Sequence, residues 1–190
     1  MTVQLPASAL DVEGMLGNEE TLALTELAAT VSAGRIVEIG SYRGRSTVAL
    51  ALGVKAAGEA EVVSIDPHFT FTGVYGGQFG PADRVAFFEN LLRCGVADRV
   101  RVIELPSQEA SRAWSSPIEL LWIDGDHADE AVRRDFDEWE PHVVTGGMIA
   151  LHDSADPELG PGRVVAAAVR SGRFEYVGRV EATTVLRKVA

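Results

Sequence analysis

The sequence lacks a second cysteine to pair with Cys94, which excludes a disulfide within the chain. It also lacks a run of about 20 apolar residues, the length that a membrane-spanning helix needs. The segment 1–6 has neither the basic nor the apolar region of a signal peptide. We therefore expect a cytoplasmic protein that binds no membrane.

Basic residues are few, with 17 Lys and Arg against 28 Asp and Glu and a net charge of −11. No basic cluster alternates with aromatic residues, so the chain would repel a nucleic-acid backbone, and a small molecule is the expected partner. The 190 residues, 46% of them hydrophobic, can bury one core but are too few for two ordinary domains. We expect a single domain over 1–190, with a helical extension at 1–33.

Apolar runs alternate with helical patterns along the chain. Strands are predicted at 35–39, 61–65, 100–104, 120–123, 148–151, 174–180 and 183–189, and helices at 18–33, 46–57, 81–94, 107–114, 128–143 and 163–171. This order predicts a doubly wound, Rossmann-like α/β fold whose seven-stranded sheet is mostly parallel. Two residues separate the last two strands, which should therefore form an antiparallel hairpin at one edge of the sheet.

A G-x-x-x-G turn, formed by Gly40 and Gly44, follows the first strand, and a helix begins near Ser46. Glycines let the backbone approach a ligand closely, and a helix start directs free N–H groups at it. The spacing is neither the G-x-G-x-x-G of dinucleotide-binding enzymes nor the G-K-[ST] of nucleoside triphosphate sites. This difference argues against NAD or ATP as the ligand. A plain strand-to-helix turn explains this motif alone equally well.

The second and third strands also end in polar residues. Asp66 follows the second strand and is placed to accept both hydroxyl protons of a ribose, although it could simply begin the loop before Pro67. Ser107 follows the third strand, where it is expected to cap the next helix, a role compatible with contact to a nucleoside base.

Two further polar clusters, 123–127 (IDGDH) and 151–154 (LHDS), follow buried-strand patterns. Carboxylates and an imidazole at this edge can bind a hard cation and move a proton, which favours an enzyme. Structural alternatives remain open, because Asp124 could cap the next helix and His127 could be a surface residue. His152 should point to the opposite face from Asp153, so we expect it to be packed rather than to act as the base.

The acidic segment 129–138 is interpreted as a solvated helix face, with Val132, Phe136 and Trp139 turned inward.

From about 36 to 189 the chain resembles the class I S-adenosylmethionine-dependent methyltransferases. The segment 38–46 (EIGSYRGRS) is similar to that of catechol and caffeoyl-CoA O-methyltransferases, and 123–127 followed by 133–136 (RRDF) is closer to the macrolide-sugar O-methyltransferases. The resemblance implies S-adenosylmethionine as cofactor. The predicted cofactor site comprises Glu38, Gly40, Ser41, Gly44, Ser46, Asp66, Ser107 and Asp124.

The resemblance also implies a divalent metal held by Asp124 and Asp153, with His127 as the general base. Mg²⁺ or Mn²⁺ would lower the pKa of an acceptor hydroxyl while His127 takes its proton. Catechol-type relatives have an amide after the second acid, where this chain has Ser154. Ser154, Asp126 and water are the candidates for a third ligand.

Two loops, 69–80 and 153–162, are predicted to act as lids, although either could be a simple connector. Tyr75 or Phe79 of the first loop would lie on a sugar or a planar ring. The first expectation for the acceptor is a sugar or glycoside hydroxyl, and the second is a catechol or another phenol. A nicotinamide-dependent oxidoreductase and a non-catalytic nucleoside-binding domain are the competing classes, and the oligomeric state, a homodimer included, is open.

Overall fold

Nine strands occur in the part of the chain that the computed structural model describes, namely residues 5–31, 33–74 and 76–190. They are β1 (Arg35–Ile39), β2 (Glu61–Ile65), β3 (Phe71–Thr72), β4 (Gln78–Phe79), β5 (Val100–Ile103), β6 (Ile118–Ile123), β7 (Val143–Leu151), β8 (Phe174–Val180) and β9 (Thr183–Lys188). Seven of them form one sheet in the order β5-β2-β1-β6-β7-β9-β8. The first five are parallel, and β9 and β8 are antiparallel additions at the edge.

Helices cover both faces of this sheet. They are α1 (Ala7–Leu10), α2 (Asn18–Ala28), α3 (Arg45–Ala57), α4 (Pro81–Arg93), α5 (Ser107–Arg112), α6 (Asp129–Trp139) and α7 (Gly160–Arg170). Successive side chains of a strand point to opposite faces, so Ile36 packs with α1 to α4 and Val37 packs with α5 to α7. The predicted seven-stranded, mostly parallel fold with an antiparallel edge is confirmed.

The N-terminal helices belong to the first of these two cores. Ala9 of α1 and Leu24 of α2 are buried in the same cluster as Leu50 of α3. The predicted division into a domain at 1–190 and an extension at 1–33 stays a prediction. In the described part of the chain, no helix is both long enough and apolar enough to cross a membrane.

Several boundaries differ from the sequence prediction. The helix expected at 128–143 ends at Trp139, because Pro141 allows only a short 3₁₀ turn over Glu140–His142. Strand β7 then begins at Val143 rather than at 148. The segment 69–80 was expected to be a loop, but it contains the antiparallel hairpin of β3 and β4. Tyr75, a predicted ring-stacking residue, lies outside the described residues.

Candidate active site

The carboxyl ends of β1, β2, β5, β6 and β7 surround one cavity of about 730 Å³. Parallel strands end at the same edge of a sheet, so the polar residues that follow them are brought together. The predicted site residues that line this cavity are Gly40, Asp66, Ser107, Asp124, His127 and Asp153, together with Asp126, a candidate for the third metal ligand. Ser41 and Ser46 line a small adjoining pocket, whereas Glu38, Gly44 and Ser154 line neither space.

Gly40 lies where β1 and β6 end side by side. Its φ of +82° is in the left-handed region, and a Cβ placed there would come within 2.3 Å of the carbonyl oxygen of Asp124. Only glycine fits both conditions. Gly44 also has a positive φ, of +88°, and immediately precedes α3. The glycine turn therefore sets the distance between the two strand ends.

Asp66 organises the same turn from the end of β2. Its Oδ2 accepts hydrogen bonds from the backbone N–H groups of Ser41 and Tyr42, at 2.8 and 3.1 Å. Its Oδ1 accepts one from the N–H of His68 at 2.8 Å. Each carboxylate oxygen has two lone pairs, so the two N–H groups occupy Oδ2, whereas Oδ1 can still accept a hydrogen bond from a ligand. Asp66 and the glycine turn thus form one unit.

Glu38 of β1 stabilises the glycine turn through the first residues of α3. Its carboxylate is fully buried and accepts hydrogen bonds from the hydroxyls of Ser46 and Thr47, each at 2.6 Å. Burial raises the pKa of Glu38 to about 7, against the opposing effect of these two hydroxyls. Because Glu38 does not line the cavity, its influence on a bound ligand would act through the start of α3.

Ser107 is the first residue of α5, and the expectation that it caps this helix is wrong. Pro106 occupies the cap position, and the hydroxyl of Ser107 instead donates to Asp135 of α6. Asp135 also accepts a hydrogen bond from Nε2 of Gln108, at 3.1 Å.

Asp135 is not among the site residues predicted from the sequence, because the acidic character of its segment is typical of a solvated helix face. The carboxylate is buried and lines the cavity. A signal was present in the sequence: Asp135 lies three residues after Val132 and four before Trp139, on the apolar stripe of α6.

The two strand-end clusters form a network of carboxylates and imidazoles. Nε2 of His127 lies 3.3 Å from Oδ1 of Asp124, and its Nδ1 lies 3.3 Å from Oδ2 of Asp153. On the other side of Asp124, Nδ1 of His152 lies 2.9 Å from the same Oδ1. The structure therefore brings together all three predicted residues, with His152 packed behind Asp124.

The charges in this network stabilise one another. Burial lowers the pKa of His127, but the carboxylates of Asp124 and Asp153 raise it by more, to about 9. Burial raises the pKa of Asp124, but His152 and His127 lower it by more, so the net shift is downward. The cluster favours imidazolium–carboxylate pairs as long as no other cation is bound to the carboxylates.

Glu20 of α2 is a further carboxylate of the network that the sequence analysis missed. It is buried, and its Oε1 lies 3.6 Å from Nε2 of His152 and accepts a hydrogen bond from the hydroxyl of Thr183 at 2.8 Å. Its Oε2 accepts the N–H of Gly17 at 3.0 Å. No local pattern distinguishes this Glu from an ordinary first-turn acid, so no signal could have found it.

Arg45 connects the N-terminal segment to the site by hydrogen bonds. Its guanidinium donates to the carbonyl oxygens of Leu10 and Val12, at 3.0 and 2.8 Å, and to the side chains of Asn18 and Thr21. These bonds hold the segment that places Met15 on the cavity wall.

The donor set fits a divalent cation. Ligand atoms of Asp124, His127 and His152 all lie within 4.8 Å of one another, and Asp153 adjoins His127. Carboxylate oxygens suit Mg²⁺ and Mn²⁺, and imidazoles extend the range to other transition ions. Ser154 points elsewhere, since its hydroxyl donates to the carbonyl of Leu151 at 2.8 Å and accepts the N–H of Thr184 at 3.1 Å.

Aromatic side chains form another wall of the cavity. The ring of Phe79 stacks on Phe71 with centroids 4.8 Å apart and meets the edge of Tyr42 at 5.3 Å. Met15 and Phe69, which also line the cavity, are 63% and 62% exposed. The predicted placement of Phe79 at the cavity makes an apolar, flat surface available to a ligand.

Comparisons with known proteins are consistent with this architecture. A family model described as "Methyltransferase domain" matches residues 37–154. A catechol O-methyltransferase of Mycobacterium tuberculosis (strain ATCC 25618 / H37Rv) is 30% identical over 129 residues, which are 67% of this chain and 51% of that protein. The chain thus spans about half the length of that curated relative.

Two solved structures share the fold. One is the methyltransferase PaMTH1 of Podospora anserina bound to SAH, at 17% identity and a TM-score of 0.73, covering 98% of this chain and 89% of that one. The other is an O-methyltransferase of Bacillus cereus in complex with SAH, at 17% identity and a TM-score of 0.72, covering 98% and 93%. At this level of identity the likeness concerns the fold alone.

Proposed function

The chain belongs to the methyltransferase-domain family, and from that premise we propose that it is an S-adenosylmethionine-dependent O-methyltransferase. One observation carries the proposal: a single cavity joins the glycine turn and Asp66 to the pair Asp124 and His127. The glycine turn and Asp66 suit the binding of a sulfonium nucleoside, and Asp124 and His127 suit the activation of a hydroxyl. A nicotinamide-dependent oxidoreductase fits less well, because the turn has G-x-x-x-G spacing.

Methyl transfer is an in-line displacement at carbon. The bond from the acceptor oxygen to the methyl group forms as the bond from sulfur to the methyl group breaks, and S-adenosylhomocysteine leaves. A neutral hydroxyl attacks poorly until its proton departs, and His127 is the group placed to accept that proton. Asp124 and Asp153, on either side of His127, stabilise the imidazolium that results.

A divalent cation, Mg²⁺ or Mn²⁺, would be held by Asp124 and Asp153, with His152 adjoining. When bound, it would supply a lowered hydroxyl pKa and a fixed position for the acceptor oxygen. Its positive charge would also offset part of the negative charge of the carboxylates and so lower the pKa of His127. Ser154 is left out of this ligand set because its hydroxyl is already bonded to backbone groups.

The acceptor that fits best is a flat phenol such as a catechol, rather than the sugar hydroxyl that is the first expectation from the sequence. The wall formed by Phe71, Phe79 and Tyr42 offers ring faces and edges, which suit offset or edge-to-face contact with a planar acceptor.

A methyl-transfer assay with S-adenosylmethionine, Mg²⁺ and either a catechol or a glycoside tests the proposal. We expect turnover with the catechol, and a raised KM for it in Phe79→Ala but not in Phe88→Ala, an aromatic residue of α4 outside the cavity lining. Turnover with the glycoside alone would overturn the acceptor class. Calorimetric binding of NADH without binding of S-adenosylhomocysteine would overturn the activity.

A further inference from the structure

Asp135 is a buried carboxylate of the cavity that the proposed chemistry does not use. Only 5% of the residue is exposed, yet it lines the cavity from α6. In the described part of the chain no basic side chain lies within ion-pair distance of it, although Arg134 acts on it at longer range, whereas buried charges in proteins are usually paired. A buried acid without a cationic partner at a cavity wall is available to a ligand that donates a hydrogen bond.

The two oxygens of Asp135 have different surroundings. Oδ1 accepts hydrogen bonds from Ser107 and from Gln108. No hydrogen bond from another described residue reaches Oδ2. Oδ2 faces Gly125, where an added Cβ would lie 3.2 Å from it, and Gly125 also lines the cavity. The absence of a side chain at Gly125 therefore keeps the space before Oδ2 open.

The sheet order indicates which part of a nucleoside would reach this oxygen. Strand β2 lies between β1 and β5, so a cofactor whose ribose contacts Asp66 after β2 extends its base toward the end of β5. Ser107 and Gln108 follow β5, and both hold Asp135. The base would therefore lie beside Oδ2.

We propose that Oδ2 of Asp135 accepts a hydrogen bond from the exocyclic amine of the cofactor's adenine, and that this contact selects adenine over hypoxanthine. An ionised carboxylate only accepts hydrogen bonds. Adenine offers it a 6-amino donor, whereas hypoxanthine presents a 6-oxo acceptor, which a carboxylate repels. This assignment rests on the proposed use of S-adenosylmethionine. Burial raises the pKa of Asp135 to about 6, so the carboxylate is mostly ionised near neutral pH.

The test is calorimetric titration of the full chain with S-adenosylhomocysteine and with S-inosylhomocysteine, its 6-oxo analogue. The wild type should bind the adenine compound about 10–100-fold more tightly, the ratio expected for one hydrogen bond to a charged group. In Asp135→Asn the preference should fall to within about threefold, because an amide can donate to the 6-oxo group. The matched control is Glu138→Gln, an acid of the same helix that bonds Ser111 of α5, and it should keep the wild-type preference.

The outcomes separate this inference from the proposed function. Equal binding of the two compounds by the wild type overturns the role of Asp135, whether or not the variant folds. An equal loss of both affinities in Asp135→Asn would show that Asp135 only supports α5, and it would overturn the proposal as well. If the wild type binds neither compound, the proposed function itself fails and the inference falls with it.

Discussion

Nδ1 of His152 lies 2.9 Å from Oδ1 of Asp124, and Nε2 of His127 lies 3.3 Å from that same oxygen. Asp124 therefore joins two histidines that are 25 residues apart in the chain. Both histidines line the cavity, but His127 is the more accessible, with 14% of its side chain exposed against 4% for His152, which is packed between Asp124 and Glu20. From this arrangement we expect the two imidazoles to have different roles.

Replacing His127 should remove the base. His127→Ala is expected to lower turnover by roughly 10²–10⁴-fold, the usual contribution of a general base, and to leave the affinity for S-adenosylhomocysteine nearly unchanged. The measurements are single-turnover methyl transfer and calorimetry. His142→Ala, in the 3₁₀ turn that follows α6 and outside the cavity lining, is the matched control. Near-normal turnover in His127→Ala together with its loss in His152→Ala would transfer the role to the other histidine.

Replacing Asp66 should weaken cofactor binding. Asp66→Ala is expected to reduce the affinity for S-adenosylhomocysteine by about 1–3 kcal/mol, because ribose hydroxyls lose a charged acceptor and the glycine turn loses its two hydrogen bonds. Calorimetry measures the change, with Asp98→Ala, an exposed acid outside the cavity lining, as control. An unchanged affinity would remove Asp66 from the site.

Removing divalent metal should stop catalysis. Turnover is expected to vanish in excess EDTA and to return with Mg²⁺ or Mn²⁺, because Asp124 and Asp153 offer hard oxygen ligands. Binding of Mn²⁺, followed by electron paramagnetic resonance, should be lost in Asp124→Asn and kept in Ser154→Ala. Full activity in EDTA would contradict the metal assignment but leave the methyltransferase proposal standing.

The free energy of unfolding should depend on pH through the protonation of Glu38. Its pKa is raised from 4.5 to about 7 in the folded protein, so the folded state holds its proton more tightly than the unfolded chain does. Stability from this group is therefore complete below about pH 4.5 and is lost as the pH rises toward 7, by roughly 3 kcal/mol in all.

In Glu38→Gln this loss should disappear. Chemical denaturation at several pH values measures the free energy of unfolding, and the difference between the wild type and the variant should change steadily over this window. A difference that is independent of pH would show that the Glu38 carboxyl is not held in its protonated form.

Much of the fold was predictable from local patterns. Strands β1, β2 and β8 have the bounds that the sequence predicts, because each is a β-rich run that ends at a glycine or a charged residue. Helix α2 begins at Asn18 as predicted but ends at Ala28, five residues before the predicted end at 33. Helix ends depend on packing and hydrogen bonds that periodicity alone does not report.

By itself, the sequence determined which residues stand at the strand ends, since apolar runs identify buried parallel strands and whatever follows them lies at one edge. That was enough to select Gly40, Asp66, Asp124, His127 and Asp153. Only the tertiary structure decided what the side chains contact. It turned Ser154 toward β9, brought Glu20 across to His152, and buried Asp135 against Ser107. Those partners are far apart in the chain, and only the packing of the helices on the sheet brings them together.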